Sequence, residues 1–202
     1  MIQPERWQGL VAEVLPEVVE LRRAIHRHPE LAHHETETTS RISSTLARAG
    51  IGTTLRAPAT GLYANIGSGE RAIGFRADID ALPINEPSDR PFASEVPDAM
   101  HACGHDFHAA IGVGIALVLS RISDELPGMV RVIFQPAEEA FPGGAIELVE
   151  EGWIDGLSSI IAFHVDPTIP AGQIGTRVGA VTGSADRFNI LLEGPGGHTA
   201  RP

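Results

Sequence analysis

The chain has 202 residues, of which 43% are hydrophobic and 20% charged, and its formal net charge is -11. This composition provides for one domain with a sizeable core and part of a second, and it excludes a disordered or fibrous chain. The negative charge disfavours nucleic-acid binding through a basic surface. All 15 basic residues are arginine, so no mechanism can use a lysine base or a lysine Schiff base.

The compartment is predicted from three absences in the sequence. Cys103 is the single cysteine, so no internal disulfide forms and a reducing compartment fits. Residues 1–21 mix acidic with apolar side chains and lack the core of a signal peptide. The longest apolar run, residues 109–119, is too short to cross a bilayer. We therefore expect a cytoplasmic protein that does not enter a membrane.

Helices and strands are predicted to alternate along the chain. Apolar residues from Leu10 to Ile25 recur at helical spacing, and Pro29 ends that helix. The elements expected after it are a helix over 38–49, strands over 61–66 and 72–77, a buried helix over 109–122, a strand over 130–134, a helix over 145–151 and a strand over 159–163. Such alternation predicts an α/β layer architecture.

The character of the sequence changes near Gly179. Gly179 and Gly183 predict a hinge, and residues 187–193 predict a strand with alternate apolar residues on one face. Nothing after Gly183 is long enough to bury a core of its own. We therefore expect one domain over residues 1–182 and the first part of another over residues 183–202.

Potential metal-binding or proton-transfer groups follow three of the predicted strands. These groups are Asp78 and Asp80, then Glu138 and Glu139, then His164 and Asp166. Ligands bind beyond the carboxyl ends of strands in open α/β sheets, so the three ends can converge on one site. Solvated loops would not favour histidines and paired acids at all three ends.

The segment from Met100 to His108, MHACGHDFH, is the densest in such groups. Cys103 and His105 are two residues apart, and a backbone turn at Gly104 would bring both to one point. Thiolate and imidazole are good ligands for zinc and its neighbours. A helix N-terminus with capping residues and a Cys–His nucleophilic pair are the alternatives. The surrounding acids and histidines favour the metal.

The adjacent pair Glu138 and Glu139 has two interpretations. An isolated pair of glutamates is usually surface charge, but this pair follows a buried strand and Pro136. Adjacent side chains are not expected to share a face, so one can ligate a metal while the other holds a water and moves its proton. The functional interpretation is therefore preferred.

The remaining histidines give weaker signals. His198 lies among glycines, which would let the backbone approach a ligand, although a loop histidine is the simpler interpretation. The histidines around Pro29, namely His26, His28, His33 and His34, are expected to be surface or packing residues, with a role in supporting the metal ligands as the alternative.

Five ordered motifs together resemble one known family. They are LRRAIHRHPEL (residues 21–31), RADIDALP (76–83), MHACGHD (100–106), FQPAEE (134–139) and GGHTARP (196–202). The chain resembles the N-acyl-amino-acid amidohydrolase branch of the aminoacylase/carboxypeptidase metallopeptidases, and the resemblance covers essentially all of it. That branch includes hippurate hydrolases, auxin-conjugate hydrolases and N-acetyl-diaminopimelate deacetylases.

The resemblance implies a fold and partners. It implies a mixed-sheet, zinc-peptidase-like catalytic α/β domain, of which residues 1–182 are the N-terminal part. An inserted α+β lid that mediates homodimerisation would begin in residues 183–202. Family members are about twice as long, and the part beyond this sequence supplies a final histidine ligand. The chain therefore looks like the N-terminal half of such a protein.

The resemblance also implies roles for individual residues. It implies two divalent metal ions, commonly Mn, Zn or Co. The matching metal ligands are Cys103, His105, Glu139 and His164. Glu138 matches the general acid/base, Asp78 an acid that orients and tunes the metal site, and His198 a lid histidine that binds the substrate carboxylate or the oxyanion.

The expected reaction is hydrolysis of an N-acyl amino acid by metal-activated water, with Glu138 carrying the proton to the departing nitrogen. Three alternatives stay open: an inactive fragment of such an enzyme, a Cys103 nucleophile, and a dipeptidase or carboxypeptidase that uses the same site. The acyl group and the native metal are not specified by the sequence.

Overall fold

The structure is a computed structural model that describes residues 2–87, 89–184, 186, 188–198 and 200. The chain divides into two units, Met1–Val165 and Asp166–Pro202. The helices of the first unit are α1 (Pro4–Arg27), α2 (Thr36–Arg48), α3 (His105–Ser120) and α4 (Gly144–Glu150), with a short 3₁₀ turn at Ser123–Glu125. Its strands are β1 (Thr53–Leu55), β2 (Leu62–Ile66), β3 (Ala72–Asp78), β4 (Met129–Gln135) and β5 (Ile160–Ala162).

Helix α1 forms because its apolar residues fall on one face. Val14, Val18, Leu21 and Ile25 are buried on that face. Pro4 stands in the first turn, where its missing N–H costs no hydrogen bond. The helix ends before Pro29, as the sequence predicted. None of the described helices has the length and apolarity needed to span a bilayer.

The five strands form one mixed sheet in the order β1-β2-β4-β3-β5. β2 pairs antiparallel with β1 and β4, whereas β3 pairs parallel with β4 and β5. The predicted α/β class with a mixed sheet is confirmed. Because β3, β4 and β5 are mutually parallel, their carboxyl ends lie at one edge of the sheet. That edge carries the polar residues that follow each strand.

The sheet lies between two layers of helices. Phe134 of β4 is fully buried in the main core, which includes residues of α1, α2 and α3. Its neighbour Ile133 points to the opposite face and joins a smaller cluster with Leu148 of α4 and Trp153. This alternation along β4 follows from the period of two in a strand. The core on both faces fixes where β4 ends and therefore where its polar residues begin.

The second unit differs from its predicted structure. Among the described residues from 166 onward there is no helix or strand, so the strand predicted over 187–193 is wrong for 188–193, and Arg187 lies outside the described residues. Phe188, Ile190 and Leu192 are exposed. A strand needs a partner to satisfy its backbone, and none of the described strands pairs with residues 188–193. The domain boundary at 182/183 stays a prediction.

One buried ion pair joins α1 to the start of α3. His26 lies 2.8 Å through Nδ1 from the Asp106 carboxylate, which also pairs with Arg22 at 2.6 Å. Glu86 lies 3.3 Å from His26 Nε2, and the ring of His101 is 6.4 Å away. The hydrogen bond to Asp106 raises the pKa of His26, although burial and the charge of Arg22 oppose it. His26 is thus a packing residue with a titratable partner.

The stability that His26 contributes should depend on pH. Because its folded pKa is raised, the contribution is complete below the unfolded pKa of about 6.5 and is lost as pH rises through the folded pKa. We therefore expect the difference in unfolding free energy between wild type and His26→Gln to be largest below about pH 6 and to shrink at higher pH.

Urea unfolding of the metal-free chain across this pH range measures that difference. His28→Gln, two residues further on, is the matched control for replacing a histidine by glutamine. A gap between wild type and His26→Gln that grows as pH rises would contradict the assignment.

Candidate metal centre

The site lies at the carboxyl edge of β3, β4 and β5 and is completed by the turn that precedes α3. Gly104 stands at the start of that helix with φ +86. A Cβ atom there would come within 2.3 Å of the Val165 side chain. Only glycine combines this left-handed backbone with this close approach. The turn places Cys103 before the helix and His105 in its first turn.

His105 is fully buried and offers one free ring nitrogen to the site. Its Nδ1 lies 3.0 Å from the Asp80 carbonyl oxygen and 3.1 Å from the Asp80 carboxylate, so Nδ1 carries the proton and donates. Its Nε2 is buried without a hydrogen-bond partner. An imidazole fixed in this way by a carboxylate is the usual arrangement of a metal ligand.

The Nε2 atom of His105 faces acidic groups from two strand ends. The nearest carboxylate oxygens are 3.7 Å away in Asp78, 3.9 Å in Glu139 and 4.0 Å in Glu138. Both adjacent glutamates therefore reach the same nitrogen, although adjacent side chains were not expected to share a face. The turn at Ala137, which has φ +52, brings them to the same side.

Cys103 and His164 form the other side of the site. Cys103 Sγ lies 3.3 Å from His164 Nε2, while His164 Nδ1 lies 2.7 Å from the Val165 carbonyl oxygen and donates to it. The ligand atoms of Cys103, His105 and His164 all lie within 4.8 Å of one another. The same holds for His105, Glu138 and Glu139. Two overlapping donor sets that share His105 fit a pair of divalent ions.

The electrostatics of the site favour a cation. Burial raises the pKa of Cys103 to about 12, with help from a hydrogen bond to Glu139 and from the nearby carboxylates. Burial and the charges of Glu139 and Asp78 likewise raise the pKa of Glu138. This crowding of acids around an unpaired imidazole nitrogen is relieved by a divalent ion. The donor set therefore fits divalent metal ions.

Asp78 is held between two basic side chains. Its two oxygens lie 2.5 Å from His108 Nδ1 and 2.7 Å from an Arg76 guanidinium nitrogen. Burial would raise the pKa of Asp78, but the hydrogen bond from His108 and the charge of Arg76 lower it. His108 Nε2 accepts a hydrogen bond from the Val165 amide at 3.0 Å. His108 thus connects the end of β3 to the segment that carries His164.

The sequence named Asp80 only as a potential metal-binding or proton-transfer group, and it assigned no role to His108. Asp80 accepts from His105 and, through its other oxygen, from the Glu139 amide at 2.9 Å. Burial would raise the pKa of Asp80, but these hydrogen bonds lower it. Two signals were present: Asp80 follows Asp78 at strand spacing, and His108 follows His105 at the spacing of one helix face.

The sequence-predicted residues fall into two groups. Six come together at this edge of the sheet: Asp78, Cys103, His105, Glu138, Glu139 and His164. His198 belongs to the second unit, where its Nδ1 accepts from the Ala200 amide at 3.2 Å. The individual roles assigned to these residues stay predictions.

Fold and donor set together define the class: a mixed α/β sheet with a thiol, two histidines and paired glutamates arranged to hold divalent metal ions. The sequence profile described as peptidase family M20/M25/M40 matches residues 74–198. The chain belongs to this family.

Individual relatives agree with that family. The chain is 46% identical to an N-acetylcysteine deacetylase of Bacillus subtilis, over 92% of this chain and 49% of that protein. It is 40% identical to an N-acyl-L-amino acid amidohydrolase of Geobacillus stearothermophilus, over 98% and 54% of the two chains. The chain therefore spans about half the length of the curated relatives that it matches.

A solved structure supports both the fold and the kind of site. A Bacillus subtilis protein described as a dinuclear metal-binding peptidase of family M20 superposes with a TM-score of 0.77 and 42% identity. The match covers 84% of this chain and 47% of that one. The two overlapping donor sets described above support two divalent metal ions in this chain as well.

Proposed function

We propose that this chain provides the catalytic half-site of a metal-dependent amidohydrolase that cleaves N-acyl amino acids. The observation that carries the proposal is the buried, unpartnered Nε2 of His105, which faces carboxylates from two strand ends. Such an atom is costly to bury unless it binds something. The proposed metal ligands are Cys103, His105, Glu139 and His164.

Two divalent ions, when bound, would supply the Lewis acidity that polarises the amide carbonyl and acidifies a water molecule. Glu138 is the proposed proton carrier, because its side chain is 41% exposed, its carboxylate reaches the site and its pKa is raised. A base with a raised pKa takes a proton from water and can give it up again.

The proposed reaction is hydrolysis of the amide bond, with one proton of the water passing through Glu138. Glu138 removes one proton from the water, and the oxygen bonds to the carbonyl carbon. The C–N bond then breaks, and Glu138 returns the proton to the departing nitrogen. The products are a carboxylic acid and a free amino acid, and the acid gives its remaining proton to the amine at neutral pH to leave a carboxylate.

Substrate, metal and assembly are finer parts of the proposal. The relatives named as an N-acetylcysteine deacetylase and an N-acyl-L-amino acid amidohydrolase support an N-acyl amino acid as the substrate. His198 is proposed to bind the substrate carboxylate or the oxyanion. Mn, Zn or Co is the proposed metal. A homodimer formed through the element that begins at residues 183–202, and a cytoplasmic location, are proposed with them.

Metal binding by the purified 202-residue chain, and hydrolysis by a form as long as its relatives, test the proposal. The chain should bind Zn or Mn, and a form as long as its relatives should release free amino acid from N-acetyl amino acids. A chelator should abolish the activity, and added metal should restore it. Hydrolysis that persists in chelator would contradict the proposal and favour a Cys103 nucleophile. Release of amino acids from dipeptides alone would favour a peptidase.

A further inference from the structure

A fully buried glutamate holds the turn that carries Glu138 and Glu139. Glu35 lies immediately before α2, and its side chain is fully buried. Its Oε1 accepts a hydrogen bond from the Ala137 amide at 2.8 Å, and its Oε2 accepts one from the Thr60 hydroxyl at 2.6 Å. Ala137 is 102 positions further along the chain. Glu35 therefore connects the start of α2 to the residue next to Glu138.

Ala137 is the residue whose backbone needs to be held. It is buried, and its φ of +52 is a left-handed conformation that residues other than glycine rarely adopt. Such a conformation persists only where the surroundings fix it. The Ala137 amide is bound by Glu35, and its carbonyl oxygen accepts from the Gly144 amide at 2.8 Å.

The backbone of the turn is also held on the far side of Glu138. There the Glu139 amide donates to Asp80 at 2.9 Å. Glu138 thus stands between two residues whose amides are bound by buried carboxylates. With both neighbours fixed, the two glutamate side chains have one common direction, which is toward His105 Nε2.

Helix capping does not explain why a buried glutamate stands at position 35. The residue occupies the N-cap position of α2, yet its side chain makes no capping hydrogen bond. Both of its oxygens are directed away from the helix to Thr60 and Ala137. Burying a carboxyl group is costly unless its oxygens are hydrogen-bonded, so a glutamate at this position implies a specific requirement for those two bonds.

We propose that Glu35 is a positioning residue of the metal centre: by binding the Ala137 amide it sets the turn that aims Glu138 and Glu139 at His105. This inference rests on the proposed function, because it assumes that Glu139 ligates metal and that Glu138 moves the proton. Glu35 itself touches neither metal nor substrate and acts through the turn.

Zinc affinity of the 202-residue chain, measured by competition with a chelator, tests the positioning role. Glu35→Ala should lower the affinity about 10-fold to 100-fold, as loss of supporting groups does at other metal sites. Glu35→Gln should restore most of it, because its amide oxygen can accept from Ala137 while the Thr60 hydroxyl turns to accept from the amide nitrogen.

Two further variants keep the test decisive. Thr60→Val removes the other hydrogen bond of Glu35 but leaves the one to Ala137, so it should lower the melting temperature without changing zinc affinity. Glu35→Asp keeps the carboxyl group but shortens its reach, so it should weaken zinc binding more than Glu35→Gln does. If Glu35→Ala does not fold, the comparison of Asp with Gln decides. Equal zinc affinity in all folded variants, or an equal loss in Thr60→Val, overturns the inference.

Amide hydrogen exchange of the metal-free chain separates this inference from the proposed function. Protection of the Ala137 amide should fall in Glu35→Asp and be retained in Glu35→Gln. A wild-type chain that binds no zinc would sink the proposed function, whatever the exchange shows. Unchanged protection of Ala137 in Glu35→Asp would sink the positioning role, whatever the chain binds.

Discussion

Replacing Glu138 with glutamine, in a form of the protein as long as its relatives, should lower kcat about 100-fold to 10,000-fold. The amide keeps the size and position of the side chain but cannot take a proton from water. Glu139 and the other proposed ligands are untouched, so metal content should not change. Initial rates on an N-acetyl amino acid, together with metal analysis of the same samples, measure both quantities.

A matched control separates the effect of losing a negative charge from the effect of losing the proton carrier. Glu150 is an exposed glutamate at the end of α4, and Glu150→Gln makes the same change of charge away from the site. Its turnover should match that of wild type. Turnover that is unchanged in Glu138→Gln would remove Glu138 from its role as proton carrier.

Replacing Cys103 with serine should cost more than about 100-fold in zinc affinity. Loss of supporting partners alone costs up to that amount, and the thiolate is proposed as a direct ligand. The effect should be smaller for Mn²⁺, because a hydroxyl oxygen suits harder ions better than it suits zinc. Competition with chelators for both metals on the 202-residue chain measures the two affinities.

The absorption spectrum of the cobalt-loaded chain provides a second readout. Wild type should show a near-ultraviolet band from thiolate-to-cobalt charge transfer, and Cys103→Ser should lack it. Far-UV circular dichroism controls for folding. Wild-type zinc affinity in Cys103→Ser would show that the sulfur is not a ligand and would bring back the interpretation of Cys103 as a nucleophile.

The sequence predicted the parts of the site that depend on strand ends. The apolar residues of β3 and β4 identify buried strands. Asp78 is the last residue of β3, and Glu138 follows the end of β4 by three positions. Since β3 is parallel to β4 and β5, the three ends meet at one edge. This part of the site can be predicted from the local sequence of each strand, together with the rule that the carboxyl ends of parallel strands lie at the same edge of a sheet.

The helix that carries His105 was predicted to begin too late. The sequence placed its start at Ala109, whereas α3 begins at His105. The first turn contains His105, Asp106 and His108, all of which are buried. The buried residues of this turn are polar because they face the metal centre or an ion pair. The helical spacing of apolar residues therefore begins only at Ala109, and the predicted helix began there too.

The groups that support the site could not be predicted from the sequence. Glu35 and Ala137 are 102 positions apart, and nothing near either residue indicates the other. The left-handed backbone of Ala137 could not be predicted either, because the residue is neither glycine nor asparagine, the types that usually mark this conformation. The strand predicted over 187–193 is absent from residues 188–193 for a related reason. Alternation predicts an extended segment, but the pairing that makes it a strand depends on residues elsewhere.

Anomalous diffraction from zinc-soaked crystals of the 202-residue chain is the most direct test of the metal centre. We expect zinc density in contact with His105 Nε2 and Cys103 Sγ, at about 2.0 Å and about 2.3 Å respectively. Glu139 and His164 should complete the coordination from the ends of the neighbouring strands. A map with zinc peaks elsewhere and none in contact with either Cys103 or His105 would contradict the account.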